Sequence, residues 1–334
     1  MNNNKKLKLN DFIKRLNKIL SKQIYIKLGI CFFLIIFSGV SEAFLIGAVF
    51  PFVHSIISKD SPVSEEIPTF VNSLNNSNIT IVFLIAVLIA TVIRVINIKY
   101  ISYIACLVGN EIAKKSYINL LKLDYIQLNK LSTSAIINIF ISNLNDTVET
   151  INLLLVSSNN IIVFIFIITS LLVINTKITL TIGILFFTIY YLLMLKQSDS
   201  LRASSNDINQ SQILASKALQ ETKELIKQIK LSSKDLLFYT KFSSLSYSVR
   251  RNRANYLFIT SFPKYAIEGL LLIIIISLLG IMSRSTSMDV TNILPLFGMF
   301  IFAAQRLLPL GQIIYSTRSV FLYYSEPINN ILDF

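Results

Sequence analysis

Four charged side chains stand inside long apolar runs: Glu42, Arg94, Glu268 and Arg306. A charge in hydrocarbon costs about 2.5–3.5 kcal/mol on insertion scales, so such residues face protein or water and mark polar paths. Arginine offers a planar fork of donors that matches phosphate and carboxylate oxygens. Arg94 and Arg306 are therefore candidates to attract an anionic headgroup such as a pyrophosphate. Two readings of the four stand side by side. In the first they line a polar translocation cavity, together with Ser157 and Asn160 from the cluster Ser157-Ser158-Asn159-Asn160. In the second the glutamates pair with the arginines, Arg94 snorkels to the inner interface, and the Ser-Asn cluster is hydrogen-bonding glue between helices. His54 is the only histidine, which excludes a multi-histidine metal site within one chain. Cys31 and Cys106 sit in apolar helical sequence, with no metal-ligand spacing and no disulfide framework. No Ser-His-Asp set and no paired catalytic carboxylates emerge.

The elements that must hold these residues are apolar. Of 334 residues, 53% are hydrophobic and only 15% charged, against about 25% charged in a soluble domain. Lipid is the solvent such a surface requires. Six segments qualify as spans: Leu28–Val53, Ile79–Ile98, Ile151–Ile174, Ile178–Leu195, Tyr265–Met282 and Ile293–Leu310. Each has about 18 residues or more, enough for a hydrocarbon core of about 30 Å. The first 27 residues read as a basic cytoplasmic segment. The apolar run after them is longer than the core of a cleavable signal, which is about 7–15 residues.

The net charge of +13 is distributed unevenly. Eight Lys and Arg precede span one, five lie between spans two and three, and eleven between Lys196 and Arg253, together 24 of the 31. The opposite loops hold Lys59, Lys177 and Arg284. The positive-inside rule places both termini and both long loops in the cytoplasm. The basic excess then belongs to inner loops beside membrane lipid, and no nucleic-acid partner is expected.

The inner connections are not built like loops. No proline occurs between Pro68 and Pro263, and only Gly109 and Gly183 punctuate that stretch. Loops are normally rich in both residues. Spans two to five are therefore expected to continue as helices far into the cytoplasm. A helix from Ile79 to Lys122 would be about 66 Å long, roughly half of it beyond the membrane. Leu214, Leu219, Leu225, Ile226, Ile229, Leu236 and Leu237 recur at mostly helical spacing among charged residues. Such apolar stripes need partners and should pack as a cytoplasmic bundle.

Six spans, short outer turns and two long helical inner hairpins resemble the transmembrane domain of type IV ABC exporters. Local sequence agrees. The segment Leu120-Leu121-Lys122-Leu123-Asp124-Tyr125, continuing through Ser134-Ala135-Ile136-Ile137-Asn138 to Asn145-Asp146, is similar to that family's first cytoplasmic loop, with Ser132-Thr133-Ser134 in place of the usual turn glycine. Leu219 to Leu231, followed by Ser232-Ser233-Lys234-Asp235, is similar to its second loop. Glu42-Ala43-Phe44-Leu45-Ile46 with Pro51-Phe52, and Ala304-Gln305-Arg306-Leu307-Leu308-Pro309, resemble a narrower group that flips lipid-linked oligosaccharides. That group also has a short external helix, for which Val63–Leu74 is the matching stretch.

The resemblance implies an all-α membrane protein of six transmembrane helices with long cytoplasmic helical extensions, the ABC transporter type 1 transmembrane domain, over residues 28–325. Residues 326–334 would begin a linker. The phosphate-binding G-x-x-x-x-G-K-[ST] loop of the family's ATPase domain and its Leu-Ser-Gly-Gly-Gln signature do not occur in these 334 residues. The expectation is that ATP and Mg bind a partner nucleotide-binding subunit, or a domain lost by truncation or gene splitting. No enzyme activity and no cofactor are expected of this chain alone. The resemblance further implies a second transmembrane half, as homodimer or heterodimer, with the hairpin of spans four and five crossing to it, in a bacterial plasma membrane. The expected docking elements are Asp124, Tyr125, Ile126 and Gln127 in the first loop, and Leu231, Ser232, Ser233 and Lys234 in the second. A lipid or peptide exporter half is the nearer alternative cargo class. A channel or ion-coupled carrier needing no ATPase is the alternative of a different class; it calls for broken helices and internal repeats, and the sequence has neither. On a background lacking Cys31 and Cys106, a cysteine placed at Ser232 should resist membrane-impermeant thiol reagents added outside intact cells. Labelling from outside would overturn the orientation.

Overall fold

The computed structural model describes residues 9–57, 76–129, 131–174, 176–285 and 290–333, and among these every element is helical. In chain order they are α1 (Leu9–Ile19), α2 (Lys22–Ile57), α3 (Asn76–Leu121), α4 (Tyr125–Asn129), α5 (Thr133–Ile137), a π-turn (Asn138–Asn143), α6 (Leu144–Ile174), α7 (Thr176–Glu224), α8 (Ile226–Ser232), α9 (Asp235–Ser285), α10 (Val290–Tyr323) and α11 (Ser325–Leu332). Three stretches, Lys22–Val49, Ile79–Leu121 and Thr133–Ile174, are long and apolar enough to cross a membrane. The other three expected spans fall within the helices α7, α9 and α10, where many side chains lie outside the described residues. The stretch Val63–Leu74 and the side chain of His54 also lie outside them.

Helix length follows from the scarcity of proline and glycine: α3 and α7 hold no proline and one glycine each, and α9 carries its single proline, Pro263, inside a continuous helix. The 46 residues of α3, 49 of α7 and 51 of α9 correspond to about 69, 74 and 77 Å at 1.5 Å per residue. Each is more than twice the hydrocarbon thickness of about 30 Å. The cluster Ser157–Asn160 does not interrupt α6. The glycine-free turn before α5 is closed by Ser132 as N-cap, whose Oγ accepts from the Ala135 N–H at 3.2 Å.

Helix α2 packs on α3, α6 and α10, and α3 also packs on α6, giving a four-helix core. The antiparallel pair α7 and α9 joins this core through α10. There Tyr256 stacks on Tyr323 with ring centroids 4.1 Å apart, and the Tyr315 hydroxyl donates to the Ile259 carbonyl at 3.4 Å. Helix α7 also rests on α5 and α11. One end of the bundle is closed by α1 packing against α3, α10 and α11. Phe12 of α1 is fully buried edge-on against Phe321, with centroids 5.6 Å apart. Arg15 pairs with Asp333 at 2.8 Å, the Lys115 ammonium donates to the Ile19 carbonyl, and the Ser116 hydroxyl donates to the Ile331 carbonyl at 3.2 Å.

Helix contact is close where side chains are small. A Cβ on Gly109 of α3 would stand 2.4 Å from Val148 Cγ2 on α6, and one on Gly39 of α2 would stand 2.5 Å from Phe166 Cδ2. Without a hydrophobic drive between helices in lipid, such approach supplies the packing that holds them. Gly109→Ala should cost about 1–3 kcal/mol by overpacking, read as a lower melting temperature in detergent. Adding Val148→Ala should restore much of the loss; a double variant no more stable than the single would show that the contact is not the cause.

Candidate functional site

Two hydrophobic clusters fill the core. The lower one joins Phe12, Ile35, Ile104, Ile151, Phe321 and Ile331; the upper one joins Ile46, Val49, Ile167, Met299 and Ala303. Between them in sequence on α2, α3 and α6 lie polar residues: Ser38 and Glu42, Arg94 and Asn97, and Ser157, Asn159 and Asn160. Apart from the half-buried Arg94, all of them are buried.

Glu42 and Arg94 form an ion pair across α2 and α3. The Glu42 side chain is 3% exposed, that of Arg94 37%. One turn along α3, Asn97 Nδ2 donates to Asn159 Oδ1 at 2.8 Å, and Asn159 Nδ2 donates to Asn160 Oδ1 at 3.1 Å. This chain of three amides leaves an acceptor open at one end, Asn97 Oδ1, and a donor open at the other, Asn160 Nδ2. Both are buried without a protein partner, as is Glu42 Oε2. Buried polar groups without partners are uncommon and call for a reason.

Arg306 of α10 is half-buried, with its guanidinium carbon 5.4 Å from the centre of the Phe302 ring and no carboxylate among the described residues paired to it. It lies near enough to Arg94 for the two charges to repel. Glu42 is paired to Arg94 alone, so the charge of Arg306 adds a positive field on the side of Arg94, a setting that attracts anions. Thus Glu42, Arg94 and Asn160 belong to one polar layer, Ser157 is buried on the same helix as Asn160, and Arg306 lies against Phe302 on α10. Glu268 is apart. It is exposed on α9 with no ion pair among the described residues, on a stripe with Arg250, Ala254, Leu257, Ser261 and Tyr265. The large exposed side chains of α2 and α3 are by contrast apolar, among them Phe33, Phe37, Leu88 and Val95. Among the described residues no three of His, Cys, Asp and Glu stand together as a metal site. Asn97 escaped the sequence reading, although a lone amide within the apolar run Ile79–Ile98 is a visible signal.

The expected docking residues stand at two tips. Asp124 precedes α4, its carbonyl accepting from the Gln127 and Leu128 N–H groups at 2.9 and 3.0 Å. Tyr125 is 76% and Ile126 71% exposed. At the other tip Leu231 is 88% exposed, beside exposed Ser232, Ser233 and Lys234. Ser233 takes the left-handed conformation, φ 53°, that ends α8, and the Lys234 N–H returns to the Ile229 carbonyl at 3.2 Å. Lys230 pairs with Asp235 at 2.7 Å and holds its carboxyl below the usual carboxylate range. Lys241 likewise binds Glu221 at 2.8 Å across the two legs and lowers it. A cleft of about 500 Å³ opens between those legs, walled in part by Asp207, Tyr247, Arg251 and Asn255, on helical stretches beyond the expected spans.

No protein-family model matches the chain, and no curated protein sequence is significantly similar to it. Arg94→Leu should cost about 3–5 kcal/mol, because it leaves Glu42 buried and unpaired. Glu42→Leu together with Arg94→Leu should recover most of that loss. Melting temperatures of the purified chain decide it: equal destabilisation in the single and double variants would mean that the pair is not coupled.

Proposed function

We propose that this chain is one membrane-spanning half of an ATP-driven exporter of the type IV ABC class, with six spans and cytoplasmic termini. It works with a second transmembrane half and with a nucleotide-hydrolysing partner that supplies ATP and Mg chemistry. Its cargo is an amphipathic lipid-linked or polysaccharide-type molecule. The observation that carries this reading is the pair of bare apolar tips on helices that overshoot the bilayer. Tyr125, Ile126 and Leu231 are left bare at the tips, as the anchors of a docking surface would be. Helices about 70 Å long place such tips well outside the membrane, where only a cytoplasmic partner can cover them.

The polar layer supports the cargo class. Excess positive charge at Arg94 and Arg306 suits an anionic headgroup, and an open amide donor at Asn160 suits its oxygens. Glu268 supports a second half or a wet path beside α9, since an unpaired carboxylate facing lipid is costly. The lever is mechanical. Rigid helices transmit a small rotation at their tips into a rearrangement between the helices in the membrane.

Tyr125→Ala with Ile126→Ala should leave membrane insertion and melting temperature unchanged. ATPase activity copurifying with the tagged chain from native membranes should fall about tenfold, as expected for losing roughly 1.4 kcal/mol or more at interface anchors. Unchanged copurification together with unchanged transport would sink the docking role.

A further inference from the structure

Between the tip at α4 and the body of α6 the chain does something rare. Residues Asn138–Asn143 form a π-turn, in which the Leu144 N–H donates back five residues to the Ile139 carbonyl. A π-turn holds one residue more than an α-helix needs, and such turns are frequent at functional sites. This one is held by a side-chain bridge of the same register: Asn138 Nδ2 donates to Asn143 Oδ1 at 3.3 Å, both residues buried. The bridge is incomplete. Asn143 Nδ2 is buried without a partner on a residue that is 0% exposed, so the π register leaves a buried donor unsatisfied.

The surroundings fix one side of the turn and leave the other bare. On the α6 side, Val148 is wedged against Gly109 of α3, and the Thr147 hydroxyl donates to the Asn143 carbonyl at 2.7 Å. On the other side, α5 starts afresh at Ser132 and α4 carries Tyr125 and Ile126 into solvent. Helix α11 lies directly on the π-turn.

We propose that the π-turn is a two-register joint. It passes its extra residue toward Ser132, where α5 begins, and returns to the α register. Because one residue is 100° of an α-helix and 1.5 Å of rise, the transfer turns and shifts the α4–α5 unit against a clamped α6. The purpose of the joint, relaying motion from the tip, rests on the exporter reading; the existence of two registers does not.

Backbone hydrogen exchange of the full chain in lipid nanodiscs, with no ATPase present, tests the joint alone. Exchange across 138–147 should be at least tenfold faster than across 150–157. Deleting Ile141, which is exposed, should remove the extra residue and slow 138–147 to the rate of 150–157. Asn138→Ala, which breaks the bridge, should quicken 138–147 at least threefold and keeps the test alive if the deletion does not fold. Equal exchange across the two stretches in the unaltered chain overturns the proposal, and so does an unchanged rate in either folded variant. Loss of tip docking in Tyr125→Ala/Ile126→Ala, with the exchange pattern intact, would leave the joint standing; the reverse result would leave docking standing without it.

Discussion

The structure depends on keeping polar groups satisfied where water is scarce. Glu42 is nearly inaccessible, and Arg94 meets it from the neighbouring helix. Removing either side would leave a charge in a medium that solvates it poorly. That pair fixes the level of α2 against α3, and Asn97, one turn on, fixes α3 against α6 through Asn159. The apolar clusters above and below could be packed by many side chains of similar volume, whereas the polar layer tolerates few arrangements. It therefore sets the register of three helices at once, and the same residues leave open groups and surplus charge available to a ligand.

Much of the architecture was legible because its causes are local in sequence. Apolar runs marked the helices, and α3 ends at Leu121, one residue from the expected Lys122. The scarcity of proline and glycine foretold helices more than twice as long as a bilayer core is thick. Which faces meet was not legible. Glu42 had two arginines to choose from, and spacing along the chain does not say that Arg94 is the partner and Arg306 the unpaired neighbour. The π-turn was hidden for a related reason: an extra residue in a helix shifts the phase of side chains that are apolar on most sides, so Ile139, Phe140 and Ile141 read the same in either register. The separate α1, and its burial of Phe12, lay within a stretch whose lysines dominated the reading.

The two tips differ in how they are braced. The α8 tip is closed on itself by Lys230, Asp235 and the left-handed Ser233. These contacts lie at the surface, where screening keeps each ion pair weak, so shape rather than energy is their contribution. The α4 tip has no such brace and hangs from a short helix that leads into the π-turn. One tip is thus a braced end of a long hairpin and the other a short helix leading toward the π-turn.

The clasp between the chain ends bears on how the molecule is made. Arg15 and Asp333 are 318 residues apart, an interval the ribosome covers in on the order of tens of seconds. Throughout that time Phe12 has no Phe321 to cover it, and α1 can only wait at the membrane surface with its apolar side unclaimed. The contacts of α1 with α10 and α11 therefore close only after residues 321–333 have been made, long after α1 itself.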